Sequence, residues 1–204
     1  MLIVGLTGSI GMGKSTVAGM LKARGIDVFD ADAEVHRLYG GAAAPLVEAA
    51  FPGTVVNGAV DRAKLAAALA GDAERFRALE AIVHPFVADA ERRFLQDAFR
   101  RGDRLAVLEI PLLLEVGRHV HVDVVIVVSA PAEHQRARVL ARPGMTDARF
   151  DALIERQMPD VEKRLQADFV VDTGGSLADT EVQIDTILDE LASRPAQAYA
   201  RHWR

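Results

Sequence analysis

Cysteine is absent from the 204 residues, which excludes a disulfide framework, a thiol nucleophile and thiolate metal ligands. Long apolar runs are also missing. Hydrophobic residues make up 50% of the chain, yet no stretch reaches the roughly 18 residues that suggest a membrane span. The opening, Met1 to Gly5, runs straight into strand-like sequence and lacks the basic start and small-residue cleavage site of a signal peptide. These absences lead us to expect a cytoplasmic protein without a membrane partner. Lysine is scarce, confined to Lys14, Lys22, Lys64 and Lys163, and the formal net charge is −5. No dense basic face emerges, so nucleic acid is not an expected partner. An acidic chain that binds an anion has to concentrate its positive charge locally.

The chain that remains reads as one domain with a substantial insertion. Met1–Leu6 is a short buried strand, followed by a glycine-rich turn and a helix over Lys14–Arg24 that stops at Gly25. Ile26–Phe29 is a second strand running into Asp30-Ala31-Asp32, and Ala33–Tyr39 is helical up to Gly40-Gly41. Residues 42–103 are alanine-rich and charged, with turn signals at Pro52-Gly53 and Asn57-Gly58, and read as a helical insertion. Val83-His84-Pro85 predicts a kink or a boundary between two helices. Strands follow at Arg104–Ile110, Val122–Ser129 and Asp168–Val171. Helices are predicted from Pro131 to about Ala141, from Thr146 or Asp147 to Met158, and over Thr180–Ala192. The tail from Pro195 is open to two readings, disorder or docking through Trp203.

Apolar strands alternating with helices mean an α/β fold: a central parallel sheet covered on both faces. Ligands bind such sheets at the carboxyl ends of the strands. The three most polar strand ends, Gly8–Ser15, Asp30–Asp32 and Ile110–Glu115, are expected to converge on one cleft.

Gly8-Ser9-Ile10-Gly11-Met12-Gly13-Lys14-Ser15 matches G-x-x-x-x-G-K-[ST] in full, between a buried strand and an amphipathic helix. The glycines let successive N–H groups turn inward on phosphate oxygens, and the following helix adds its positive end. ATP is the expected ligand. Gly11, Met12 and Gly13 supply backbone, Lys14 reaches the β- and γ-phosphates, Ser15 ligates Mg²⁺, and Thr16 lies near the α-phosphate. A dinucleotide loop is the competing reading, but it needs glycine or alanine where Thr16 stands and has no use for Lys14. A GTPase switch needs an Asn-Lys-x-Asp guanine reader, and the single asparagine, Asn57, precedes Gly58.

A kinase acting on a hydroxyl needs a carboxylate to take its proton. Asp30 and Asp32, one residue apart, point the same way in an extended segment. Asp32 is assigned as the base; Asp30 is either a magnesium-organising residue or a helix cap. His119-Val120-His121 places two imidazoles on one strand face without a third ligand, too few for a metal centre.

Taken in order, these segments resemble the dephospho-CoA kinases over nearly the whole chain. The likeness rests on Thr7–Thr16, Asp30-Ala31-Asp32 with Val35-His36 and Leu38, His84-Pro85, Ile110–Glu115, Gln135-Arg136, Arg138, Arg142 with Gly144-Met145-Thr146, Arg156-Gln157, and Asp168–Asp172. It implies a P-loop NTPase fold in three layers, with a core at 1–41 and 104–194, a helical substrate-binding insertion at 42–103, a lid at 138–160 and a tail at 195–204. The implied reaction is ATP-dependent phosphorylation of the ribose 3′-hydroxyl of dephospho-CoA, by a monomer or small homo-oligomer. By the same likeness Asp32 is the base, Lys14 and Arg142 join it in catalysis, and Arg138 is a second lid candidate. Thr7, His36, His84, Pro111, Leu112 and Leu113 border the acceptor pocket. Pro143 departs from the small polar or acidic residue expected after the lid arginine. The runner-up is another small-molecule kinase, such as a shikimate or nucleoside kinase; the mid-chain glycine triplet of the shikimate kinases is missing.

Overall fold

The computed structural model describes residues 1–204 as an α/β protein around a five-stranded sheet. The strands are β1 (Leu2–Thr7), β2 (Asp27–Asp30), β5 (Leu105–Glu109), β6 (Val124–Ser129) and β7 (Phe169–Asp172), in the order β2-β5-β1-β6-β7. β1 pairs in parallel with β5 and β6, and β6 with β7. All six residues of β1 and of β6 are buried, as expected of strands covered on both faces. The order reverses at β1: the chain steps to β2 and β5 on one side, then to β6 and β7 on the other. The loop after β1 therefore lies at the switch point, where open parallel sheets bind ligands.

The chain divides into two compact units, Met1–Phe29 with Leu95–Arg204, and Asp30–Phe94. In the first unit, α1 (Lys14–Ala23) and α9 (Leu177–Leu191) cover one face of the sheet. Val17, Ala18, Leu21, Ile184, Ile187 and Leu191 join Leu2, Val4, Leu6, Val124, Ile126 and Val128 in one apolar core. Helix α9 starts at Leu177, earlier than the sequence suggests, because Ser176 and Asp179 form a reciprocal capping box. Two shorter helices, α6 (Ala132–Leu140) and α7 (Asp147–Ile154), follow β6, and α8 (Asp160–Leu165) precedes β7. Helix α7 stops at Ile154 instead of reaching Met158. Residues 155–158 form a turn, and Gln157 and Met158 make tertiary hydrogen bonds there. Pro159 then opens α8, a helix the sequence reading did not separate.

The second unit holds α2 (Ala31–Tyr39), α3 (Ala44–Ala50), a small hairpin of β3 (Val55–Val56) and β4 (Ala59–Val60), α4 (Arg62–Leu69) and most of α5 (Ala73–Arg101). The hairpin was legible only as a turn. Asn57 and Gly58 both take left-handed backbone, at φ 52° and 81°, as a two-residue hairpin connection requires. Helix α5 runs 29 residues through Pro85 without interruption, so the alternative of a boundary between two helices does not hold. Leu79, Val83 and Val87 form a buried row at four-residue spacing along it. Burial of that row outweighs the donor that the proline removes.

His119 and His121 lie in a 3₁₀ turn (Arg118–His121), not on a strand. The tail is docked: Trp203 is buried and its Nε1–H donates to His121 O at 2.8 Å. Asp123 secures it further. One carboxylate oxygen accepts from Gln197 N and Ala198 N, both at 2.7 Å, and the other from Ile3 N at 2.8 Å. No helix is long and apolar enough to cross a membrane. Asp123→Ala is expected to cost about 2–3 kcal/mol, the penalty for stranding partly buried amide donors. Urea denaturation measures the loss, and limited proteolysis should cut first within residues 194–204.

Candidate active site

The loop after β1 curls through Gly11 and Gly13, at φ 80° and 89°. Side chains are excluded there twice over. A Cβ at Gly11 would lie 2.9 Å from Gln135 O, and one at Gly13 would lie 3.0 Å from Thr173 Oγ1. The amides of Gly11, Gly13, Lys14 and Ser15 donate to no protein group. Support comes instead from neighbours that grip the loop elsewhere. Gln135 Nε2 donates to Ile10 O at 2.8 Å, Gln157 Oε1 accepts from Ile10 N at 3.1 Å, and Thr173 Oγ1 donates to Met12 O at 2.7 Å. Arg138 braces Thr173 in turn, donating to its hydroxyl at 3.0 Å and its carbonyl at 2.7 Å. Sequence reasoning placed Arg138 among the lid candidates; here its guanidinium holds the loop's scaffold. It gave Gln135, Gln157 and Thr173 no role in the loop. Gln135 and Gln157 lie in segments it had marked and Thr173 directly follows one, but only the tertiary contacts reveal what they do.

Lys14 opens α1, and its Nζ lies 2.5 Å from Glu109 Oε1. Glu109 is the last residue of β5 and is 3% exposed. It was not singled out in the sequence, although an acid at the end of the strand beside β1 is a usable signal. Ser15 and Thr16, one position further along α1, are exposed. Beyond β5, Thr7 Oγ1 donates to Pro111 O at 3.0 Å, joining the carboxyl end of β1 to the segment Pro111–Glu115. Leu113 is wholly buried in the core, close above Gly5, whereas Leu112 is 39% exposed. Of the two, Leu112 is the side chain available to a ligand.

Arg142 stands exposed in the turn between α6 and α7. After Pro143 the turn is closed by Gly144, at φ 73°, and clamped by Arg149 Nη1, which donates to Gly144 O at 2.6 Å. Thr146 caps α7 through Arg149 N.

In the second unit Asp30 caps α2, accepting from Ala33 N at 2.9 Å, so its carboxylate is spent on the helix. Asp32 sits in the first turn of α2 with its side chain exposed. His36 lies one turn on. Arginine can only donate, so His36 Nε2 accepts from Arg62 Nη1 at 2.6 Å and Nδ1–H donates to Asp32 O at 2.8 Å. The ring orientation and tautomer are thereby set. His84 is exposed on α5.

No group of three or more His, Cys, Asp or Glu side chains is placed to hold a metal ion. Burial, followed by the nearby His202, Arg118 and His119, pushes the His121 pKa below its usual range.

A family model described as dephospho-CoA kinase matches residues 2–179. A dephospho-CoA kinase of Mesorhizobium japonicum is 57% identical over 192 residues, covering 94% of this chain and 97% of that protein. The crystal structure of TT1252 from Thermus thermophilus superposes with a TM-score of 0.80 at 41% identity, covering 93% and 97% of the two chains. Dephospho-CoA kinase from Campylobacter jejuni, at 23% identity and a TM-score of 0.62, shares the fold over 93% of this chain and 96% of its own.

The Lys14–Glu109 pair makes a prediction about stability as well as binding. Lys14→Ala leaves a buried carboxylate unpaired and is expected to destabilise the ligand-free protein by about 3 kcal/mol. Lys14→Ala with Glu109→Gln should recover most of that loss in thermal denaturation without recovering nucleotide affinity.

Proposed function

This chain belongs to the dephospho-CoA kinase family, and we propose from that premise how its own residues carry the family's reaction. The chain is a kinase that moves a phosphoryl group from ATP to the ribose 3′-hydroxyl of dephospho-CoA, the final step of coenzyme A synthesis. The observation that carries the assignment of roles is the phosphate loop, whose amides at Gly11, Gly13, Lys14 and Ser15 have no protein acceptor while its carbonyls are held by Gln135 and Thr173.

Those amides and the positive end of α1 receive the phosphate oxygens of ATP. Lys14 leaves Glu109 for the β- and γ-phosphates, and Thr16 borders the α-phosphate. Magnesium fits the donors present: the Ser15 hydroxyl and the Glu109 carboxylate are hard oxygens, and a kinase site supplies the remaining ligands from phosphate and water. When bound, the ion offsets charge on the phosphate oxygens. Asp32 orients the 3′-hydroxyl and takes its proton as the oxygen attacks. Its exposed carboxylate is uncommitted to the helix, in contrast to that of Asp30. Arg142 brings guanidinium charge to the phosphoryl group in transfer, and the stiff Pro143–Gly144 turn aims it. On the acceptor side we assign Leu112 and Pro111 as direct contacts, with Thr7 and Leu113 holding their segment in place. We also assign His36 and His84 to acceptor binding. We place the enzyme in the cytoplasm, acting as a monomer or small homo-oligomer without nucleic acid or membrane.

Purified protein with ATP, Mg²⁺ and dephospho-CoA should form coenzyme A, followed by chromatography. Turnover on shikimate or a nucleoside, with none on dephospho-CoA, would overturn the substrate. Asp32→Asn should lower kcat by about 10²–10⁴-fold while leaving ATP binding intact. Arg142→Ala should reduce kcat by about 10²-fold with a smaller change in acceptor KM. The reverse pattern would make Arg142 a docking residue.

A further inference from the structure

Two of the four lysines are committed to glutamates at the two ends of one short segment. Lys14 meets Glu109, where β5 ends, and Lys163 meets Glu115, where the acceptor segment ends. The second pair has no part in the reaction described above. Lys163 is the largest fully buried side chain of the protein, at 0% exposure, and its Nζ lies 2.7 Å from Glu115 Oε1. The same oxygen accepts from Met158 N at 3.0 Å, Oε2 is buried without a partner, and Lys163 Nζ meets Glu115 as a close charge contact without hydrogen-bond geometry.

A half-satisfied buried carboxylate needs a counter-charge, and Lys163 provides it. The lysine reaches Glu115 because α8 is fastened nearby: Asp160 Oδ2 accepts from Ser129 Oγ at 2.7 Å at the end of β6. Gln157 grips Ile10 of the phosphate loop. Residues 157–163 thus hold the phosphate loop, the segment Pro111–Glu115 and β6 at once, with α7 between them and the turn that carries Arg142.

We propose that Lys163 is a positioning residue for the acceptor: acting through Glu115, it keeps Pro111–Leu114 in register with the phosphate loop once Lys14 has left Glu109 for the nucleotide. The inference rests on the assignment of Pro111 and Leu112 to the acceptor site. The two lysines differ in solvent access: Lys14 keeps 13% exposure, whereas Lys163 has none, although its partner Glu115 is 14% exposed. A buried ammonium has no water to turn to and stays with its counter-charge.

The test is steady-state kinetics on the full-length enzyme with dephospho-CoA and ATP varied in turn, beside thermal denaturation. Lys163→Met should raise the KM for dephospho-CoA about tenfold, leave the KM for ATP within about twofold, and lower Tm. Glu115→Gln with Lys163→Met removes both charges. It should recover Tm while the acceptor KM stays raised, because the uncharged pair packs but no longer holds the segment. This double variant carries the test if the single variant does not fold. Recovery of Tm and acceptor KM together would reduce the pair to a structural contact and overturn the proposal, as would a folded Lys163→Met enzyme with an unchanged acceptor KM. If the wild-type enzyme itself fails to phosphorylate dephospho-CoA, the substrate assignment fails instead, and the two failures are told apart by that control.

Discussion

A loop that binds phosphate through its backbone cannot spend those amides on itself. Every other contact around it follows from that constraint. Four amides, at Gly11, Gly13, Lys14 and Ser15, have no acceptor in the protein, and within the loop before α1 only Met12 N is spent on a loop carbonyl, that of Ser9 at 3.2 Å. Its shape is held from outside. Gln135 and Thr173 take carbonyls of the loop, Gln157 takes the Ile10 amide, and Arg138 locks Thr173. The supports come from α6, from the turn before α8 and from the loop after β7. Three separate returns of the chain to the same strand ends are therefore needed before the phosphate site exists.

Charge is managed in the same economical way. The protein is acidic overall, with a formal net charge of −5, yet its site has to attract a triphosphate. The helix dipole and the loop amides supply positive potential without any side chain, and Lys14 adds a movable charge that rests on Glu109. That resting pair protects a buried carboxylate from standing alone and keeps the lysine beside the place it serves. A second lysine–glutamate pair, Lys163 with Glu115, stands at the far end of the segment that follows β5. Arginine, by contrast, is used where geometry matters: the fork of Arg138 spans a hydroxyl and a carbonyl of one residue, which a single ammonium does with less directional definition.

Much of this was legible in the order of residue types. Fully apolar runs such as Leu2–Leu6 and Val124–Val128 announce buried parallel strands, because only a strand covered on both faces can be apolar at every position. The phosphate loop is legible because its chemistry demands glycines at fixed spacing ahead of a lysine. Asp30 and Asp32 were legible as a pair with Asp32 assigned as the base, but only the fold shows that Asp30 caps α2. The continuity of the helix through Pro85 was not legible because the proline's local cost is visible in sequence, whereas the buried row Leu79, Val83 and Val87 that repays it is visible only in the fold.

Sequence alone therefore determined the fold class, the nucleotide loop and the family, since each is written in local spacing along the chain. The tertiary structure alone decided which side chains grip the loop, where Lys14 rests, that Arg138 is a brace, and that Lys163 meets Glu115. Those contacts join residues 35 to 161 positions apart. Hydrogen bonding and burial act through space, and no local pattern records which distant partner a glutamine or a lysine will meet.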